Sequence, residues 1–437
     1  MSIKNKTYKI TAITGIALVV ANMIGTGAFT SLGFQLKDLE NPTVILILWV
    51  LGGLIALSGA FSYAEIGTHI TRSGGEYAFL TKLFHPLVGY LSGWISITVG
   101  FAAPIALSAM AFVAYFPYFN LNPKWTSILL IGVVTLIHTK NLSLSSKFQN
   151  ISTVLKVAII VVLIIIGIWQ EPSFQSVGLF NNSDYPNLIS PAFAIALIYV
   201  SYSYSGWNAA AYITEEFKNP KKSLPIALIG GTILVTVLYT FLQYVFIKHV
   251  PIPELKGQLN VGTIAMNKMI GEDYGRLFGL SISLLLVSGI SAMVWVGSRV
   301  TSNIAKDHQF WQYFKSEKNN IPQRALWLQF GISALLILTG TFEQILIYCG
   351  ILLTLSSMVT VFGVFKLRSQ HKMTKSNSFK SPLFPVFQLI FIILSIWMIV
   401  YAFINSPFEV LVGLSNILLG FITYWRSNTL NSKHNIN

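Results

Sequence analysis

The chain has 437 residues, of which 54% are hydrophobic and only 10% charged, with a mean hydropathy of +0.65. A soluble domain carries about 25% charged residues; too little polar surface exists here to face water all round, and the solvent implied is lipid. The net charge of +14 would point to nucleic acid in a soluble protein, but in a membrane protein it is expected in loops held on one side.

A helical span needs roughly 20 largely apolar residues. Twelve such stretches are read near 11–34, 43–67, 86–115, 125–139, 149–169, 189–213, 224–247, 275–302, 325–340, 342–365, 383–403 and 408–425. The expectation is an all-α polytopic membrane protein with 12 transmembrane helices. Its basic opening, MSIKNKTYKI, precedes an apolar stretch too long and glycine-rich for a cleaved signal peptide, so this stretch is read as a retained first helix. Threaded with both termini in the cytoplasm, the chain places the great majority of its 29 Lys and Arg on that side, as the positive-inside rule requires. The location expected is the cell inner (plasma) membrane. The loops 303–324 and 366–382 are short connections, so residues 1–437 form a single membrane domain.

The first span reads GIALVVANMIGTGAFTSLG, with Gly25, Thr26 and Gly27 at its middle. Glycine lowers helix stability, and exposed backbone at bilayer depth is tolerated only where it lines a cavity; the alternative is close helix packing through small residues. Where a helix restarts, unpaired amides favour an anion, so Thr26, Gly27 and Ala28 can hold a carboxylate. Free carbonyls of Asn22, Met23 and Ile24, joined by Tyr202, Ser203 and Ser205, can hold an ammonium. Such a site accepts both ends of an α-amino acid without any charged side chain.

Between the second and third spans lie Glu65, Arg72, Gly74, Gly75 and Glu76, either cytoplasmic ion pairs or a solvated loop. Pro104 is expected to bend the third span by removing a backbone donor. Lys156 stands in the fifth span, roughly 11–13 Å beyond Lys147 and Phe148 at the helical rise. An ionisable side chain at that depth points to function, unless it snorkels to the surface.

The sixth span reads ISPAFAIALIYVSYSYSGWNAAAYITEEF, with Ser203, Tyr204, Ser205 and Gly206 at its middle. Interruptions at matching places in two halves of a chain mark a transporter's substrate site. Here spans 1 and 6 would open two five-helix halves, near 11–169 and 189–365, leaving the last two spans, near 383–425, as additions. Glu215 and Glu216, beside Lys218, Lys221 and Lys222, are read as gating contacts or solvated charges rather than acid–base catalysts. Trp295 and Arg299 in the eighth span are candidates for the pathway or the inner gate.

The one cysteine, Cys349, excludes an internal disulfide and metal sites built on several thiolates. The seven histidines show no ligand spacing, and nucleotide-binding fingerprints are absent. No enzymatic chemistry, cofactor or metal is expected.

The strings VANMIGTGAF, FSYAEIGTHITRSGGEYAFL, TVLKVAIIVVLIIIGI and YSYSGWNAAAYITEEFKNPKKSLPIAL resemble the amino acid–polyamine–organocation superfamily, and within it the L-type amino acid transporters and their bacterial relatives. The resemblance implies a LeuT-type fold of five plus five inverted helices, with helices 1 and 6 discontinuous, working by alternating access. It places carboxylate contacts on Thr26 and Gly27, amine contacts on the carbonyls of Met23, Tyr202 and Ser205, and an aromatic gate on Tyr202. Asn208 stands where some members carry a glutamate tied to proton-linked behaviour; an amide cannot titrate, which puts proton sensing there in doubt. Lys156 matches a lysine that replaces sodium in sodium-independent members and would bond carbonyls near Gly25, as a fixed ion-site surrogate where it stays charged or as a proton-coupling group where burial lowers its pKa. The function implied is sodium-independent transport of amino acids, neutral L-amino acids first, by proton symport or exchange. The alternatives are an antiporter of amino acids and their amine products, a carrier of cationic amino acids, and a non-transporting sensor. The partners expected are an amino acid, protons where the cycle is a symport, and the lipid bilayer. A disulfide-linked heavy subunit is not expected, because the loop cysteine that would hold it is missing.

Overall fold

The computed structural model describes residues 10–116, 122–140, 144–172, 188–315, 321–370 and 378–434. The basic opening of the chain, parts of the 303–324 and 366–382 loops, and the Lys147 and Phe148 side chains lie outside the described residues. Within these bounds the secondary structure is helical, apart from one isolated bridge between Ile10 and Phe217.

The first expected span is three pieces, α1 (Ala12–Met23), α2 (Gly27–Thr30) and α3 (Leu32–Gln35). Then come α4 (Pro42–His69) and the short α5 (Gly75–Leu83). Next, α6 (Pro86–Ile95) and α7 (Ala102–Tyr115) are joined by a π-helical turn, Ser96–Phe101. Helices α8 (Pro123–Lys140), α9 (Leu144–Trp169) and α10 (Pro191–Ser203) lead into a 3-10 stretch, Ala209–Glu216. The rest comprises α11 (Pro220–His249), α12 (Ile252–Leu255), α13 (Val261–Ile270), α14 (Glu272–Asp307), α15 (Gln323–Thr339), α16 (Phe342–Ser369), α17 (Val386–Asn405) and α18 (Pro407–His434).

Eight helices among the described residues are long and apolar enough to cross a membrane, and the protein is a multi-pass membrane protein. The four other expected stretches fall on the interrupted α1–α3 and α10 regions and on α8 and α15, which have 18 and 17 residues. The helices start where the backbone has a substitute acceptor: the Asn41 side chain accepts from the Thr43 and Val44 amides, and Thr341 and Gln344 form a reciprocal box. Proline follows the cap in α4, α6 and α10, where its missing N–H costs nothing. Inside the third expected span Pro104 does cost a bond. Its ring excludes the carbonyl of Gly100, and the π turn that absorbs the misfit ends at Phe101.

Candidate functional site

Helix α1 stops because Ile24 leaves the helical region, at φ −74° and ψ 90°. The chain rewinds at Gly27, and the amides of Thr26, Gly27 and Ala28 have no hydrogen-bond partner among the described residues. Helix α10 stops at Ser203, and the chain turns through Gly206 at φ +97°, a conformation that L side chains rarely adopt.

The two interruptions touch. A Cβ on Gly27 would stand 2.5 Å from the Ser203 Cα, and one on Gly206 would stand 2.8 Å from the Asn22 carbonyl. Side chains join them as well: Thr26 Oγ1 lies 3.4 Å from Tyr202 Oη, and Ser31 Oγ lies 2.9 Å from Ser203 Oγ. Their carbonyls are partly occupied. Met23 accepts from the Tyr239 hydroxyl at 2.6 Å and keeps a second lone pair, and Tyr202 accepts from the Ser205 amide at 2.9 Å and also from the Tyr204 amide.

A cavity of about 730 Å³ reaches both breaks. All the residues assigned to the substrate from sequence line it except Ile24 and Ala28, which are buried in the core. Lys156 is also outside the lining. It is buried on α9, with its ammonium 3.6 Å from where a Cβ on Gly289 of α14 would stand. No hydrogen bond from it to the α1 break is formed among the described residues. Gln243 makes such a bond instead, donating to the Ala28 carbonyl at 2.8 Å. The sequence reading passed over both Tyr239 and Gln243; a glutamine in the apolar run of α11 was the signal available for the second.

Trp295 and Arg299 both line the cavity, the guanidinium 4.0 Å above the indole ring. The link between α4 and α5 is more ordered than a solvated loop. Glu65, fully buried, holds Arg368 through two bonds of 2.7 and 2.8 Å, and Arg72 pairs with Asp307 at 3.3 Å. Glu76 is buried on the cavity wall and has no cation partner among the described residues. Its carboxylate accepts from Tyr63 at 2.7 Å, Asn208 at 2.8 Å and Tyr212 at 2.6 Å. Gly74 and Gly75 both have positive φ, and a Cβ on Gly75 would stand 2.8 Å from the Tyr212 ring, which explains the paired glycines before Glu76. Glu215 and Glu216 lie exposed at the cavity's mouth with Arg72, Lys306 and Asp307.

At the other end the cavity is sealed. Phe34 stacks on Phe342 at 5.5 Å, Lys37 pairs with Glu343 at 2.6 Å, and the Tyr199 hydroxyl donates to the same carboxylate at 2.8 Å. Lys256 and Glu40 form a further ion pair nearby in the chain.

A helical membrane protein with a central cavity, reaching two facing helix interruptions and open at one end, is built as a carrier of small molecules rather than as an enzyme. A family model for amino acid permeases matches residues 10–425, and the chain belongs to that family. It is 27% identical to the Asc-type amino acid transporter 1 of Mus musculus, over 95% of this chain and 81% of the relative. Identity is also 27% to the b(0,+)-type amino acid transporter 1 of Mus musculus, over 94% of this chain and 86% of the relative. The large neutral amino acids transporter small subunit 2 of Mus musculus is likewise 27% identical, over 94% and 80%. The protein is an amino acid transporter acting on small molecules.

Proposed function

We propose that the chain is a sodium-independent secondary transporter of neutral L-amino acids, working by alternating access as a proton symporter or an exchanger. The observation that carries this reading is the meeting of the α1 and α10 breaks, where Thr26 and Gly27, whose amides are unpaired among the described residues, line the cavity with peptide carbonyls close by. Donors in a low-dielectric cavity suit a carboxylate, and carbonyl oxygens suit an ammonium. The substrate set is Asn22, Met23, Ile24, Gly25, Thr26, Gly27, Tyr202, Ser203, Ser205, Gly206 and Asn208, with Ile24 contributing backbone only.

The arrangement proposed is one domain of twelve spans, two inverted halves of five plus two additions, with both termini cytoplasmic in the plasma membrane. The open end of the cavity then faces the cytoplasm and the Phe34–Phe342 end faces outward. In this reading Lys156 is a fixed substitute for sodium, its positive charge supporting the α1 break from α9. A disulfide-linked subunit has no attachment point, since Cys349 is the one cysteine and is buried in α16.

A second reading, carriage of cationic amino acids or amines, is favoured by one feature: the Glu76 carboxylate on the cavity wall, which no cation among the described residues neutralises. Purified protein in liposomes decides among these. Labelled neutral amino acid should accumulate equally in sodium and in choline medium, and arginine or an amine should compete poorly. Strong sodium dependence overturns the sodium-substitute role, preferential arginine or amine uptake selects the second reading, and binding without flux makes the protein a sensor.

A further inference from the structure

Away from the central cavity, a second concavity of about 580 Å³ lies beside the start of α11, lined by Lys221, Lys222, Pro225, Ile226, Ile229, Gly230, Ser378 and Phe379. Its floor is apolar and its rim is basic. Gly230 supplies no side chain there, and Ile16 of α1 stands just beyond, 3.3 Å from where a Cβ would be. Lys221 and Lys222 are exposed, and neither they nor neighbouring Lys218 form an ion pair among the described residues.

The apolar floor continues along the helix. Ile226, Ile233, Val237 and Phe241 are each about half exposed, and their spacing of seven, four and four puts them on one face. The stripe runs about 22 Å at the helical rise, close to the reach of an extended acyl chain, on a helix long and apolar enough to span the membrane. A soluble partner has no access to such a stripe, and a free anion has no use for it. Unneutralised lysines where the stripe begins attract an anionic membrane surface. They repel the cation of a zwitterionic headgroup.

We propose that this groove binds an anionic phospholipid, with the phosphate between Lys221 and Lys222 and one acyl chain against Ile226, Ile229 and Gly230. The chain then also touches Ile16, so the lipid bridges α11 and the first half of the interrupted helix. The site is independent of the substrate reading.

The test is native mass spectrometry of the full-length protein, titrated with phosphatidylglycerol or phosphatidylcholine at equal concentrations. Wild type should retain more phosphatidylglycerol, and Lys221→Gln/Lys222→Gln should lose roughly thirty-fold of that binding. Gly230→Leu, which fills the groove and leaves both lysines, should lose it too. Lys82→Gln, an exposed lysine elsewhere, should retain it; each variant is first checked for a monodisperse elution profile. Equal retention of the two lipids by wild type, or an unchanged double variant, overturns the proposal. So does displacement of the lipid by inorganic phosphate alone, which would reduce the site to a free-anion site. A wild-type dimer dissolved by Gly230→Leu would assign the groove to a second copy and overturn it as well.

Discussion

At one end of the central cavity Phe34 and Phe342 stack beneath an ion pair between Lys37 and Glu343, whereas at the other Arg72, Asp307, Glu215 and Lys306 stand around an open mouth. The sealed end buries its aromatic faces almost completely. Separating them would return apolar surface to water at about 1.5–3 kcal/mol per side chain. Among the described residues the open end has no apolar seal to break: its charges stay hydrated or pair locally, and the buried Glu76 accepts from four neutral donors, Tyr63, Asn208, Tyr212 and Ser357. One end is therefore closed by packing and the other held open by solvation, so a cycle between them exchanges these two kinds of cost.

The strongest way to break this contrast acts between the ends, where the breaks touch. Gly27→Val places methyl groups against the Ser203 backbone, not simply in the path of a carboxylate, so it forces α2 and α10 apart. Overpacking of this kind costs about 1–3 kcal/mol. Uptake of every substrate should fall by roughly ten- to a hundred-fold, with a lowered melting temperature in detergent; normal uptake with unchanged melting would show that the two breaks need not touch.

Lys156→Met comes next. It preserves bulk and removes a buried charge, and uptake should drop about ten-fold or more, the worth of one charge-assisted interaction, while expression persists. Wild-type uptake in that variant would remove the ammonium from the mechanism. Glu343→Gln sharpens the comparison of the ends by deleting the ion pair but leaving the aromatic stack. Partly exposed pairs contribute about 0–1 kcal/mol, so the half-saturating concentration on the sealed side should fall by roughly two- to five-fold as that end opens more readily. An unchanged value would assign the whole seal to Phe34 and Phe342.

The smallest effect is expected at His308, just past α14 near the open end. Burial against Tyr90 and Tyr77 pushes its imidazole below the ordinary histidine value. The folded protein therefore binds this proton less readily than the unfolded chain. Stability is full above about pH 6.5 and declines as pH falls from there toward the folded value. Melting temperatures recorded from pH 7.5 to pH 5 should show a shallower decline in His308→Gln than in wild type; identical slopes would place the sensitivity elsewhere.

Much of the site could be read in the residues. Two clusters of glycine, serine and threonine inside apolar runs mark backbone that cannot stay wound in lipid, and the break residues except Ile24 and Ala28 do line the cavity. Ile24, assigned through its carbonyl, lies outside that lining with its side chain in the core, because the sequence shows that a turn occurs but not which way each residue faces. For Glu76 the sequence leaves a cytoplasmic ion pair or a solvated loop, whereas the positive φ of Gly74 and Gly75 turns α5 so that its carboxylate meets neutral donors on Tyr63, Asn208 and Tyr212 from distant segments.

The sequence alone determined that this chain lives in lipid, roughly where its apolar helices lie, and which two of them break. Composition, cap residues and apolar run length are local properties that act through neighbouring residues. Only the tertiary structure decided that the breaks face each other across Gly27 and Ser203, that Tyr239 and Gln243 take up carbonyls freed at the first, and that one end is sealed. These depend on contacts between residues far apart in the chain, and no local preference specifies the partner.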